Sequence, residues 1–162
     1  MLNLFCYTGA FTVQAAAGGA DASVSVDLSN TYLAWARRNF ALNGIDPARH
    51  VLERAEVMDW LHDARKRNER FGVIVLDPPV CSSSKKMGGT FDVQRDHADL
   101  VHAVAALLES DGVLYFSTNL RGFKLDGPAF AALYVEDITA RTIPEDFRNQ
   151  RIHQCWRIAL ES

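Results

Sequence analysis

The sequence predicts an α/β domain, a mostly parallel β-sheet with helices packed on both faces. Three observations predict it. Apolar runs of strand length alternate with helix-compatible segments up to residue 117. The first four runs close on, or within two residues of, a glycine or an acidic residue, where a strand can hand over to a helix. Two strand-like segments then end the chain with no long helix between them. Such alternation implies right-handed crossovers, and ligands of such sheets bind beyond the carboxyl ends of the strands, where strand order reverses.

The elements follow in order. Residues 2–7 are a short apolar run ending in Thr8-Gly9, and residues 11–17 are helix-compatible up to the stop Gly18-Gly19. Residues 22–26 alternate small and β-branched side chains and end at Asp27. Ser29 or Asn30 can then cap a helix over 31–42, which closes at Asn43-Gly44. Residues 50–54 form a weaker strand, and 57–67 place Val57, Leu61 and Ala64 at helical spacing. Residues 71–76 are an uninterrupted apolar strand, bounded by Asp77-Pro78-Pro79 because proline cannot continue a ladder. A polar loop over 82–89 leads to a helix over 93–108, and Asp111-Gly112 turns the chain into a strand over 113–117. Segments 133–141 and 152–160 read as a final antiparallel pair, joined through Ile143-Pro144. Seven core strands result, one of them antiparallel.

Length and composition narrow the classes. The 162 residues suit one domain, with no repeat or low-complexity linker to divide them. With 48% hydrophobic and 23% charged residues, the chain matches an ordinary globular protein and neither a disordered nor a fibrous one. Its longest apolar stretches are too short to span a bilayer, and the N-terminus carries no signal-peptide pattern, so the cytoplasm is the expected compartment. Cys6, Cys81 and Cys155 are widely spaced and odd in number, which suits free thiols and no metal site. A net charge of −3 gives the whole domain no strong attraction to a polyanion, so any such contact falls to local patches in the basic second half.

Four positions carry candidate chemistry. Gly9 closes a sharp turn after strand one and permits close approach of backbone to a ligand, although a plain tight turn needs the same residue. Asp27 ends strand two, where a carboxylate can accept from both ribose hydroxyls of a nucleoside; a helix N-terminal acid is the alternative. Glu56 follows strand three and can accept from an adenine amine between Ala55 and Val57, or serve only as a first-turn helix acid. Asp77-Pro78-Pro79 is the most specific feature, a rigid carboxylate beside two prolines at the end of a buried strand.

The segments LNLFCYTGAF, VDLSNTYLAWARRNFALNG, DPPVCSSSKKM, FDVQRDH, FSTNLRGFKLD and DFRNQRIHQCWRI together resemble the C-terminal, guanine-N7 half of the bifunctional large-subunit ribosomal RNA methyltransferase K/L family. The resemblance spans essentially the whole chain. It implies a Rossmann-like class I methyltransferase with strand order 3-2-1-4-5-7-6. The donor would be S-adenosyl-L-methionine (SAM), the product S-adenosylhomocysteine, the partner 23S ribosomal RNA and the compartment the bacterial cytoplasm. By that similarity Phe5, Tyr7, Thr8 and Gly9 are the cofactor loop, and Asp27, Leu28 and Ser29 the ribose end. Glu56 and Val57 are the adenine end, and Asp77, Pro78 and Pro79 the catalytic loop, with Asp77 also near the cofactor.

The chain departs from the family pattern in three ways. Aspartate is expected at position 56, and the longer Glu56 requires a backbone adjustment to reach the same amine. An aromatic is expected where Cys81 stands, which removes a platform for an extruded base, a contact typically worth about 1–3 kcal/mol; Phe91 is the candidate substitute. The chain also begins at the first core strand, as a fragment of a larger protein would. Lys85, Lys86, Arg121 and Lys124 are candidate contacts to RNA phosphates, or plain solubilising charge. Guanine N7 offers a lone pair and loses no proton on methylation, so no general base is needed. Two alternatives stand beside this reading: RNA cytosine-C5 methylation through a Cys81 thiolate, and a non-catalytic SAM-binding or RNA-docking module.

Overall fold

A computed structural model describes residues 1–84, 89–149 and 152–161. Its main sheet is formed by β1 (Leu2–Leu4), β2 (Ser23–Asp27), β3 (His50–Arg54), β4 (Phe71–Leu76), β7 (Leu108–Thr118), β8 (Leu133–Asp137) and β9 (Gln154–Leu160). A separate two-stranded ribbon, β5 (Cys81–Ser84) and β6 (Gly89–Asp92), lies between β4 and β7 in sequence. The main-sheet order is β3-β2-β1-β4-β7-β9-β8. Counting core strands only, this is the expected 3-2-1-4-5-7-6, with β9 alone antiparallel to its neighbours.

The helices are α1 (Ala10–Ala17), α2 (Asn30–Leu42), α3 (Val57–Lys66), α4 (Val93–Ala105) and the single turn α5 (Thr139–Thr142). α3 buries Val57, Trp60, Leu61 and Ala64, the spacing of one helical face. α4 does the same with Val93, His97, Leu100, Val101 and Val104. The sheet contributes Leu2, Leu4, Ile74, Leu76, Leu114 and Phe116, all fully buried. Burial at about 25 cal/mol per Å² makes this core the main stabilising contribution.

Four expectations about element bounds change. The first strand stops at Leu4, because residues 5–9 are taken up by the turn into α1. The polar segment after Pro79 forms the β5–β6 ribbon, with Ser82 opposite Phe91. Asp111-Gly112 is no turn: β7 runs through it, the register against β4 shifts between Phe71 and Val73, and a Cβ on Gly112 would sit 2.9 Å from the Phe71 carbonyl oxygen. β8 ends at Asp137, whose Oδ1 accepts from the Thr139 amide at 2.8 Å and turns the chain into α5.

Two buried polar links fix the frame beneath the carboxyl edge. Asn3 Nδ2 donates to Thr12 Oγ1 at 3.0 Å, and Thr12 Oγ1 shares a 2.7 Å bond with Ser25 Oγ, so β1, α1 and β2 are joined by one chain of hydrogen bonds. His97 is held as the neutral Nδ1–H tautomer: Nδ1 lies 3.0 Å from the Val93 and Gln94 carbonyl oxygens, while Nε2 accepts from the Asp126 amide at 3.0 Å. It pins the segment after β7 onto α4. Among the described residues, no helix is long and apolar enough to cross a membrane.

Thr12→Val keeps the shape of the side chain but leaves Asn3 and Ser25 each without a buried partner. Urea unfolding should show a loss of about 1–3 kcal/mol with an unchanged m-value.

Candidate active site

The turn after β1 is strained and held. Phe5 and Tyr7 adopt φ of 55° and 50°, left-handed conformations that cost a bulky residue about 1–3 kcal/mol each. Hydrogen bonds from the Cys6 amide to the Val26 carbonyl (3.0 Å) and from the Gly9 amide to the Cys6 carbonyl (2.8 Å) fix its ends. The Asp27 carboxylate fixes its middle. Oδ2 accepts from the Tyr7 amide at 3.0 Å, and Oδ1 accepts from the Ser29 amide at 2.8 Å. One side chain at the end of β2 therefore ties two adjacent loops together, and each oxygen keeps a lone pair for a ligand.

A cavity of about 620 Å³ lies over this edge, within the range of small-molecule sites. It brings together Phe5, Tyr7, Asp27, Leu28 and Ser29 from the first two strand ends, Ala55, Glu56 and Val57 from the third, and Asp77, Pro78 and Pro79 from the fourth. Thr8 and Gly9 are not part of its wall. The Thr8 carbonyl accepts from Asn39 Nδ2 at 2.8 Å. Gly9 is the N-cap of α1 at φ 74°, and a Cβ there would meet the Phe40 ring at 3.0 Å and the Ala36 Cβ at 3.1 Å. Its freedom serves the approach of α2, with no direct part in lining the cavity.

The carboxylates differ in their engagement. Glu56 is the N-cap of α3, with Oε2 accepting from the Asp59 amide at 3.0 Å. It therefore serves as a helix-capping acid and also lines the cavity. Asp77 accepts from Ser117 Oγ at 2.7 Å through Oδ1. Burial holds its carboxyl above the usual carboxylate range, against the opposing pull of the Ser117 hydrogen bond and the His153 imidazole. Pro78, directly after Asp77, is buried and Pro79 is exposed.

Sequence reasoning did not find Tyr32, Ser82 and Asn119, which also line the cavity. Tyr32 packs edge-on against Tyr7, ring centroids 4.5 Å apart. The only signal for it was its place in the first turn of α2, directly after the Ser29 cap. Ser117, the partner of Asp77, is 40 residues away in sequence and becomes a neighbour only through the β4–β7 pairing.

Among the described residues the wall of the cavity carries Asp27, Glu56 and Asp77 and no Lys, Arg or His. Three acids suit a nucleoside ligand of net positive charge. The profile described as S-adenosylmethionine-dependent methyltransferase matches residues 1–156. The chain belongs to that family. Among methyltransferases of known sequence, it is 55% identical over 161 residues to "Ribosomal RNA large subunit methyltransferase K" of Neisseria meningitidis, covering 99% of this chain and 46% of that one. It is 54% identical to the K/L methyltransferase of Cellvibrio japonicus over 97% of this chain and 21% of that one. The chain thus spans about half and about a fifth of the length of these relatives. A solved structure of a proposed methyltransferase complexed with SAH superposes with a TM-score of 0.81 at 27% identity, covering 97% of this chain and 44% of that one.

SAM is accordingly the cofactor of this methyltransferase. The residues fit it: its sulfonium and ammonium groups meet an acidic wall, and the half-buried Asp27 retains acceptor capacity for hydroxyls. The acceptor-side expectations are more scattered. Phe91 is only 5% exposed and packs against Phe5, ring centroids 6.2 Å apart, so it supports the cofactor loop from beneath and offers no open face to a base. Arg121 and Lys124 are exposed, the latter with its backbone bracketed by both ends of the Gln94 amide. Lys85 and Lys86 lie outside the described residues. Cys81 is exposed and not in the cavity wall, whereas burial pushes the Cys6 and Cys155 thiols up to about 12 and about 11.

Because the folded state raises the Asp77 pKa, folding takes up protons between its unfolded and folded values, and stability falls as pH rises through that window. Asp77→Asn keeps an acceptor for Ser117 and removes the buried charge. Urea unfolding should find the variant more stable than the parent at neutral pH, with the gap closing as pH falls towards about 3.9.

Proposed function

We propose that the domain transfers a methyl group from SAM to N7 of a guanine in 23S ribosomal RNA. The observation that carries this reading is the identity of more than half of the residues, over 97–99% of the chain, with large-subunit ribosomal RNA methyltransferases K and K/L. SAM supplies an electrophilic methyl group at its sulfonium. Asp27 and Glu56 hold the nucleoside end and the loop of Phe5 and Tyr7 faces the methionine end, and their fixed hydrogen bonds leave little entropy to lose on binding.

On the acceptor side, Asp77 offers a carboxylate to the N–H groups of the guanine Watson–Crick edge. Its charge offsets the positive charge that methylation leaves on the purine, and partial burial makes that offset larger than it would be in water. No group in the cavity wall is needed as a general base, since N7 attacks through its lone pair. Within a folded RNA the base must be extruded, at a cost of a few kcal/mol met by pocket contacts.

Cytosine-C5 methylation finds less support. It needs an activated thiolate in the pocket. Cys81 is outside the wall, and Cys155, beside Ser117 in the β7–β9 ladder, is buried with its thiol held protonated.

Calorimetric titration should show SAM binding to the chain, and Asp27→Asn should weaken it about 10–100-fold, the loss of a charge-assisted hydrogen bond. Asp77→Asn should leave that affinity nearly intact and lower methyl transfer. The acceptor is read from nucleosides of ribosomal RNA from cells lacking and carrying the full-length gene. The difference should include 7-methylguanosine, and that component should survive Cys81→Ser; a difference in 5-methylcytidine lost on that substitution would replace guanine with cytosine.

A further inference from the structure

We infer that a second cavity, beyond the carboxyl ends of β7 and β8, is a phosphodiester subsite that holds the RNA backbone next to the methylated base. The inference rests on the RNA reading above and extends it to residues outside the cofactor cavity. This second cavity is also about 620 Å³, and Arg121, Asp137, Thr139, His153 and Gln154 are in its wall.

Its position follows from strand register. In the antiparallel β7–β9 ladder Ser117 faces Cys155 and Thr118 faces Gln154. One step further sets Asn119 opposite His153. Asn119 lines the cofactor cavity and His153 the second one, so the two open on the same edge of the sheet with the end of β7 between them. The His153 imidazole is also close enough to lower the Asp77 pKa, which places the second cavity within electrostatic reach of the acceptor carboxylate. A strand whose base sits at Asp77 continues over this boundary.

Its described wall sets one cation, Arg121, beside one carboxylate, Asp137, where the first cavity has three carboxylates. Arg121 makes no hydrogen bond or ion pair with another described residue, so its guanidinium is available for bidentate contact with a phosphate. The one carboxylate among the described wall residues, Asp137, accepts from the Thr139 amide at 2.8 Å. Thr142 Oγ1 donates to the Thr139 carbonyl at 3.0 Å and so accepts from His153 Nε2–H at 2.8 Å, which fixes the imidazole at the mouth. Gln154 is fixed likewise by donation to the Phe123 carbonyl at 3.3 Å. A guanidinium with no partner among the described residues, beside side chains already held in place, suits a phosphate group and its ribose. The acidic cofactor cavity would repel the same group.

The test has two arms. Inorganic phosphate is titrated into the chain while the His153 imidazole resonances are followed by NMR; they should shift in the parent and stay fixed in Arg121→Gln. No shift in the parent overturns the anion subsite, whatever the RNA result. Fluorescence anisotropy with labelled fragments of deproteinised large-subunit ribosomal RNA then gives the salt dependence of binding. Arg121→Gln should flatten the log–log slope by about 0.7, the loss of one phosphate contact to a single strand. Arg141→Gln, which removes an exposed pair with Glu136 outside the cavity, should leave it unchanged. Equal slopes in parent and Arg121→Gln, or equal flattening in both variants, overturn the assignment to RNA. A parent that binds phosphate but no RNA overturns the RNA acceptor itself, a result distinct from loss of the subsite.

Discussion

The architecture of the active edge depends on one carboxylate. Asp27 accepts from the Tyr7 and Ser29 amides, and by doing so sustains two left-handed residues that would otherwise relax. Phe5 and Tyr7, both left-handed, line the cavity beside Asp27. The same hydrogen bonds set the entry of α2, whose Tyr32 then meets Tyr7. The cavity is therefore shaped before any ligand arrives, which reduces the ordering cost of binding.

Electrostatics divides the edge into two regions. Over the first four strands the described wall carries three acids among apolar and uncharged polar residues, a setting for a cationic nucleoside. Beyond β7 and β8 the described wall carries the Arg121 guanidinium and the Asp137 carboxylate. Asp77 stands at the border, where burial and the Ser117 hydrogen bond act on it in opposite senses. A net charge of −3 for the whole chain hides this division, because the sum says nothing of where each sign is exposed.

Much of this was legible in the sequence. The strand–helix alternation and the acids after strands two, three and four were readable because each is a local pattern, and the final antiparallel pair followed from the missing helix. The rest was hidden for physical reasons. Positive φ at Phe5 and Tyr7 contradicts their intrinsic preference and is held by long-range partners, Val26 for the Cys6 amide and Asp27, 20 residues away, for the Tyr7 amide. The β5–β6 ribbon is rich in serine and reads as a loop, since its stability comes from Phe91 entering the core. Phe91, the candidate platform for an extruded base, is for that reason buried against Phe5 instead. Ser117 and His153 reach Asp77 only through strand pairing that no local window contains.

The reversed direction of β9 also bears on how the chain is made. β8 is joined to the sheet through β9 alone, and β9 also covers the free side of β7. During synthesis β7 is complete at Thr118, yet its partner follows only at Gln154–Leu160. For that interval an 11-residue strand presents an open edge, the kind of surface that recruits other chains or chaperones. The nascent polypeptide is thus most vulnerable to misassociation after its cofactor half has folded, and closure of the sheet by one late insertion removes that hazard.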